Sequence, residues 1–253
     1  FSGVPSTFTA LKMFHGMQPL EMATVRVLCS AGAPFDLDLH PLLREIFPNA
    51  RIVNNYGATE ATPRISWVAD DEPAFFEGAC GKPIDGLDVA VYDQQGGRPL
   101  PEGETGIIAI RGPNVTPGYL NDPERTAAAW TAEGYFLTND IGCIRGGQIH
   151  VQGRADDIFD VGGEKVAPLE IEQALMSIPA IERSAVVGLR DELRGHVPVA
   201  FLKTRDSISK AEINACLGRL IAPGKIPVRY YRVDSFPETD NGKLRRRDLH
   251  ASE

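Results

Sequence analysis

The chain has 253 residues, 43% of them hydrophobic and 24% charged, with a formal net charge of −8. That composition is ordinary for a globular protein and allows one large domain or two modest ones. The acidic balance excludes nucleic acid as the main partner, which needs a basic surface, and no apolar run reaches the roughly 20 residues of a membrane span.

Phe8, Leu11 and Phe14 follow Pro5-Ser6-Thr7 and share a helical face, which predicts a helix starting there. Val25 to Cys29 is a short apolar run that ends in Ser30-Ala31-Gly32-Ala33, a strand meeting a tight loop. Leu39, Leu42, Leu43, Ile46 and Phe47 repeat with the period of an amphipathic helix. Arg51-Ile52-Val53 is a further strand feeding the loop at Tyr56. Strand, helix and strand with small-residue loops at the strand ends predict the end of a parallel α/β sheet over residues 1–77.

The texture changes near Gly78. Asp88–Tyr92 and Gly106–Arg111 are expected strands, and Ile141–Ile144 with Gln148–Gln152 form a hairpin about Gly146-Gly147. Residues 78–153 therefore read as a small antiparallel β-unit. From Arg154 onward helices and strands alternate: a helix over Pro168–Ile178, strands at Ser184–Gly188 and Pro198–Lys203, a helix carrying Ile213, Leu217, Leu220 and Ile221, and a strand at Arg229–Val233. That is enough for a small α+β domain over residues 154–253. The expected fold class is thus α/β plus α+β, with the two domains dividing at 153/154.

Cys29, Cys80, Cys143 and Cys216 lie far apart and form no CxxC pair, so neither a zinc site nor a redox motif is expected. They read as reduced thiols of a cytoplasmic protein. The five histidines share no ligand spacing. The first residue is Phe1 and no signal-peptide pattern follows, so the chain is expected to be part of something longer.

Several segments carry residue types suited to a nucleotide. In Tyr56-Gly57-Ala58-Thr59-Glu60 the aromatic face can stack on a base, the hydroxyl can reach a phosphate and the carboxylate can hold Mg2+. Gly32 beside Ala33 lets a ligand approach the backbone, although a plain turn uses the same residues. Arg154 beside Asp156 and Asp157 is either an exposed ion pair or something more specific. Gly162-Gly163 suits a hairpin turn. Lys243, Arg245, Arg246 and Arg247 can be taken as a solvated basic tail.

Taken in order, Tyr56–Glu60, Gly112–Pro123, Tyr135–Asp140, Gly153–Glu172 and Asn241-Gly242-Lys243 resemble the motifs of the adenylate-forming enzymes. That superfamily contains acyl-CoA and aryl-CoA ligases, peptide-synthetase adenylation domains and luciferases, and the chain is most like an acyl-CoA synthetase. The resemblance implies that Gly32, Ala33, Asn55, Tyr56, Gly57, Asp140 and Arg154 bind ATP or AMP. Asp140 would grip the ribose hydroxyls. This chain has Asn139 where the family usually has Gly, and Asn tolerates left-handed backbone better than most residues. Thr59 would touch the α-phosphate and Glu60 would bind Mg2+. Asp156 would be the hinge of a rotating C-terminal lid, and Gly162 and Gly163 would line a CoA tunnel. Asp160 departs from the family, where Lys or Asn is common, and an acidic group there bears on CoA docking. Lys243 would stabilise charge as pyrophosphate leaves. The Gly112–Pro123 segment is expected to be architectural.

The implied reaction joins a carboxylic acid to AMP and then to CoA, with positioning and charge stabilisation carrying the rate. Small residues Ala58, Ala61 and Thr62 are expected to leave room for an aryl or alkyl group. The family's Ser/Thr/Gly-rich phosphate loop lies upstream of the matched region and does not occur in these residues. They are therefore expected to need the missing N-terminal half of the large domain, in the same chain or as a separate subunit, and to be inactive alone. The alternatives are a fragment of a peptide-synthetase adenylation domain and a non-catalytic subunit that binds a nucleotide or a partner.

Overall fold

The computed structural model describes residues 1–93, 95–239 and 244–249. The chain divides into two units, Phe1–Val151 and Gln152–Glu253.

The first unit begins with β1 (Ser2–Gly3), α1 (Pro5–Met17), β2 (Val27–Ser30), α2 (His40–Ile46), β3 (Arg51–Tyr56), β4 (Ser66–Ala69), α3 (Pro73–Phe76) and β5 (Lys82–Pro83). The five strands form one sheet in sequence order. β1, β2 and β3 pair in parallel, as the strand–helix–strand pattern predicts. The sheet then continues with β4 and β5, both antiparallel, which the pattern did not suggest. Leu43, Ile46 and Phe47 are fully buried and pack with Phe8, Leu28, Ile52, Val68 and Phe75. One expectation fails here: Phe14 is 58% exposed while Phe8 is buried. Six residues at about 100° each carry a side chain well round a helix from the face that Phe8 shares with the sheet. The side chain of Asp70 is buried and joins helix to sheet. It accepts the Ile52 amide at 3.1 Å, hydrogen-bonds His40 Nε2 at 2.9 Å and pairs with Arg44.

A second sheet runs β6 (Asp88–Tyr92), β7 (Gly106–Arg111), β8 (Phe136–Arg145) and β9 (Gln148–Arg154), with the short helix α4 (Pro123–Ala128) before β8; it belongs to the first unit except for the end of β9, from Gln152 on. Its core holds Ile108, Ile110, Phe136 and Ile149 together with Ala61, Ile65 and Leu87. Tyr56, Ala58 and Tyr119 pack against it, so the loop after β3 rests on this sheet.

The second unit contains β10 (Phe159–Val161), β11 (Glu164–Val166), α5 (Pro168–Met176), β12 (Ile181–Asp191), β13 (Gly195–Thr204), α6 (Lys210–Leu217) and β14 (Arg229–Arg232). β12 and β13 form a long antiparallel hairpin, and β14 adds to β13 in parallel. Strand alternation makes the hairpin two-sided. Val186, Ala200 and Leu202 face α5 and α6 through Ile171, Leu175, Ile213 and Leu217. Ala185, Val199 and Phe201 gather Phe236, Leu244 and Leu249 on the other side. α6 starts with a reciprocal cap between Ser209 and Glu212 and stops at Leu217, short of the expected Leu220, which is 57% exposed. β10 and β11, three residues each, form a hairpin about Gly162-Gly163, the turn that the glycine pair suits.

Candidate active site

β2 and β3 end side by side, and ligand crevices in parallel sheets lie outside such carboxyl ends. After β2, Gly32 takes φ +91°, left-handed backbone that a side chain would strain. Ala33 beside it is exposed. After β3 the chain turns sharply at Gly57. A Cβ there would lie 1.6 Å from the Pro63 carbonyl oxygen, so glycine is required by close approach. A 3-10 turn over Thr59–Ala61 follows, closed by Thr62 at φ 52°. Asn55 donates from Nδ2 to the Ser30 carbonyl at 3.3 Å, linking the two loops. Its Oδ1 is buried with no hydrogen-bond partner. A buried acceptor left unpaired is costly unless a ligand supplies the donor.

The Tyr56 hydroxyl donates to Asp140 Oδ2 at 2.7 Å across 84 residues of sequence. Burial, then the charge of Asp140, pushes the Tyr56 hydroxyl well above its ordinary pKa, so it stays a donor. Asp140 is 9% exposed and sits in a bulge. From Ala109↔Leu137 to Ile107↔Ile141, β7 advances two residues while β8 advances four. The extra residues include Asn139 at φ 65°, so Asn does take up the left-handed geometry that glycine would supply. The bulge re-aims its side chains. Thr138 donates to the Ile108 carbonyl at 2.8 Å and accepts the Asp140 amide at 3.1 Å.

Glu60 is half-buried and held by the Gly112–Pro123 segment. Tyr119 donates its hydroxyl to Glu60 Oε1 at 3.0 Å, and the Thr116 amide donates to the Glu60 carbonyl at 2.8 Å. Asn114 Nδ2 donates to the carbonyls of Ala61 and Arg64 at 2.8 and 3.1 Å, and Thr62 donates to the Asn114 carbonyl. The Arg125 guanidinium lies 3.8 Å over the Tyr119 ring. Burial, then Glu60, raises the Tyr119 pKa, which keeps it a donor. The segment is architectural in that it clamps the loop after β3. It also reaches the Glu60 carboxylate, which its prolines and glycines did not signal.

One pocket expectation is corrected. Ala61 is fully buried among Ile65, Leu87 and Ile108, so it belongs to the core and lines no acyl pocket. Thr59 is exposed beside Glu60. Gly32, Asn55, Tyr56, Gly57, Thr59, Glu60 and Asp140 all belong to the first unit.

Arg154, Asp156, Gly162 and Gly163 belong to the second unit. Arg154 Nη2 lies 3.8 Å from Asp156 Oδ2, with both side chains more than half exposed. Asp156 and Asp157 share a 3-10 turn over Ala155–Asp157. Gly162 and Gly163, at φ 61° and 92°, form the turn between β10 and β11. The side chain of Asp160 accepts the Gly163 amide at 2.7 Å, so this acid fastens the glycine turn. Asn241, Gly242 and Lys243 lie outside the described residues. Of the basic run after Lys243, Arg246 is not solvated: it is 21% exposed and bonded to Asp157 and Glu172, whereas Arg245 and Arg247 are exposed. Tyr119, Thr138, Asn114, Arg246 and Glu172 are the contributors that motif spacing does not reveal.

Among the described residues no group of three or more His, Cys, Asp or Glu gathers to hold a metal ion. Mg2+ bound to a nucleotide does not need one, since a single carboxylate plus phosphate oxygens suffices. Glu60 fits that role, and the unpaired Asn55 Oδ1 fits an amine-bearing base.

Residues 1–120 match the family described as AMP-binding enzyme, and residues 170–243 match its C-terminal domain. The chain is 34% identical over 254 residues to 4-coumarate–CoA ligase 2 of Nicotiana tabacum, covering 98% of this chain and 47% of that protein. It is 33% identical over 255 residues to 4-coumarate–CoA ligase 1 of Glycine max, covering 98% of this chain and 87% of that sequence. The chain spans about half the length of the 4-coumarate–CoA ligases of Nicotiana tabacum, Pinus taeda and Vanilla planifolia that it matches. Among solved structures, o-succinylbenzoate CoA synthetase of Bacillus subtilis with its acyl-adenylate intermediate matches with a TM-score of 0.85 and 27% identity, over 100% of this chain and 51% of that one. ATP-bound MatB of Rhodopseudomonas palustris matches with a TM-score of 0.82 and 29% identity, over 97% and 49%.

Proposed function

The chain belongs to the AMP-binding enzyme family, and on that premise we propose that it is the C-terminal portion of an ATP-dependent acid–thiol ligase. The observation that carries this is the buried Tyr56–Asp140 pair beside the unpaired Asn55 Oδ1. The Tyr56 ring would lie along the adenine, and Asn55 Oδ1 would accept from its exocyclic amine. Asp140, already oriented by Tyr56 and the bulge of β8, would accept the ribose hydroxyls. The side-chain-free backbone at Gly32 would let the nucleotide approach closely, while Gly57 makes the turn that would present Thr59 and Glu60 to it. Arg154 would add a contact to the ribose.

In the first half-reaction the acid's carboxylate oxygen attacks the α-phosphorus of ATP and pyrophosphate leaves, giving the acyl-adenylate. Glu60 would hold Mg2+ with the phosphates, and Thr59 would bond the α-phosphate. When bound, Mg2+ neutralises phosphate charge. Lys243 would stabilise the charge that develops in the transition state. In the second half-reaction a thiol displaces AMP from the acyl carbon, with Asp156 as hinge and Gly162-Gly163 beside the thiol's route. CoA is proposed as the acceptor because the similar proteins are named CoA ligases and synthetases. The acid would be an aryl or alkyl carboxylic acid, with 4-coumarate the first to try. The location would be cytoplasmic, in keeping with four cysteines that are all free.

The test is ATP–pyrophosphate exchange by the full-length protein with a panel of such acids. Asp140→Ala should raise the KM for ATP by about 10- to 100-fold, the scale of losing placement at a reacting centre. Unchanged exchange in Asp140→Ala would overturn the assignment.

A further inference from the structure

Glu60 lies in the 3-10 turn Thr59–Ala61 after β3, and Tyr119 lies 59 residues further on, in the segment that leads into α4. Their side chains meet, the Tyr119 hydroxyl donating to Glu60 Oε1 at 3.0 Å. Among the described residues no second hydrogen-bond donor meets that carboxylate. One oxygen is thus held by Tyr119, and Oε2 is left for a cation.

The other contacts across this join hold backbone instead. The Thr116 amide donates to the Glu60 carbonyl, and Asn114 donates to the carbonyls of Ala61 and Arg64. The course of the turn therefore does not depend on the Tyr119 hydroxyl, whereas the direction of the Glu60 carboxylate does. Tyr119 is itself held firmly. Its amide donates to Thr126 Oγ1 at 2.9 Å, and the Thr126 hydroxyl donates to the Asp122 carbonyl at 2.8 Å. Gly118 permits that approach, since a Cβ there would lie 2.4 Å from Thr126 Cγ2. The Tyr119 ring packs against Phe136, with centroids 6.2 Å apart, and the Arg125 guanidinium covers it. A ring fixed by its own backbone and by the core beneath it gives its hydroxyl a definite place.

We propose that Tyr119 is a positioning residue for Mg2+ binding: its hydroxyl fixes the Glu60 side chain so that Oε2 faces a cation bound with the triphosphate. This deepens the reading of Glu60 as the Mg2+ ligand and rests on it. Hydrogen-bond partners of ligating carboxylates orient them, and their loss costs about 10- to 100-fold in metal affinity or activity. Phenylalanine at this position keeps the ring and its packing and removes only the donor. A merely structural clamp would serve every nucleotide alike. A positioning role is felt only where Mg2+ takes part.

The experiment compares Tyr119→Phe, Glu60→Ala and the double variant in the full-length protein by calorimetry. ATP affinity is measured with Mg2+ and with a chelator in its place, AMP affinity with the chelator, and the thermal midpoint alongside. Mg2+ should tighten ATP binding by the parent, and in Tyr119→Phe that gain should shrink by about 10-fold or more. The affinities measured with the chelator should stay within about 2-fold of the parent. The Mg2+ concentration for half-maximal pyrophosphate exchange should rise in step with the lost gain. In the Glu60→Ala background Tyr119→Phe should add nothing. Equal loss of AMP and Mg2+–ATP affinity, an undiminished Mg2+ gain, or additive loss in the double variant would each overturn the proposal alone. A Mg2+ gain missing from the parent or intact in Glu60→Ala would remove the role of Glu60, and the inference falls with it. If Tyr119→Phe does not fold, Arg125→Ala, which uncovers the ring, must show the same selective loss in smaller measure or the proposal fails.

Discussion

The loops around Tyr56 and Asp140 in the first unit and the salt-bridged segments of the second are held by different means. In the first, placement is imposed by backbone: Gly57 passes a carbonyl with no room for a side chain, and Gly32, Thr62 and Asn139 take left-handed angles. In the second, placement is imposed by charge: Arg246 on Asp157 and Glu172, Lys225 on Glu170 and Glu164, Arg183 on Glu238. Steric placement has no soft failure, because an added methyl group has nowhere to go. Charge placement weakens by degrees and tolerates partial loss, particularly where a partner is half exposed. Sterically fixed placement suits a cradle, and re-formable contacts suit the change of state proposed for the second unit.

The sharpest break of this contrast is Gly57→Ala. The new Cβ must displace the Pro63 backbone, and the loss of stability should be about 3 kcal/mol or more by chemical denaturation. A mild effect would show that the turn can relax, and the steric half of the comparison would fail. Next comes Glu172→Gln, which leaves Arg246 with one carboxylate. Its cost should be about 1.5–3 kcal/mol, the range for hydrogen bonds to charged groups. The loss should be read in the second unit by hydrogen exchange, and a loss spread over the first unit would contradict the separation. The smallest effect is expected from Asn139→Gly. Glycine fits φ 65° without a Cβ, so stability should hold or rise by about 1 kcal/mol or less. A clear fall would mean that the Asn139 side chain, not its tolerance of the left-handed region, matters in the bulge.

Much of the fold could be read from local signals. Asp88–Tyr92 and Gly106–Arg111 form over the expected residues, because each is an apolar run rich in β-branched residues between turn residues. α5 starts at Pro168 as expected. β4 was not legible because its buried Ser66 looks like loop. Only the bond from its hydroxyl to the Cys80 carbonyl at 2.7 Å shows why it can be buried. Leu220 continued the helical spacing, but α6 ends at Leu217 and Gly218 follows as its cap. The candidate site was visible as residue types, through resemblance, and not as geometry. Tyr56 and Asp140 are named by separate motifs, and nothing in either says that a hydrogen bond joins them. Tyr119 to Glu60 and Arg246 to Glu172 span 59 and 74 residues, distances over which no periodicity speaks.

The β12–β13 hairpin has a consequence for how the chain acquires its structure. Its ten paired positions all join neighbouring segments, so the loop that must close is short and its entropic penalty small. Such local pairing forms early, whereas the parallel addition of β14 must wait for the intervening crossover through α6. The smaller unit therefore carries its own kinetic seed, and its folding can begin without waiting for the longer-range sheets that precede it.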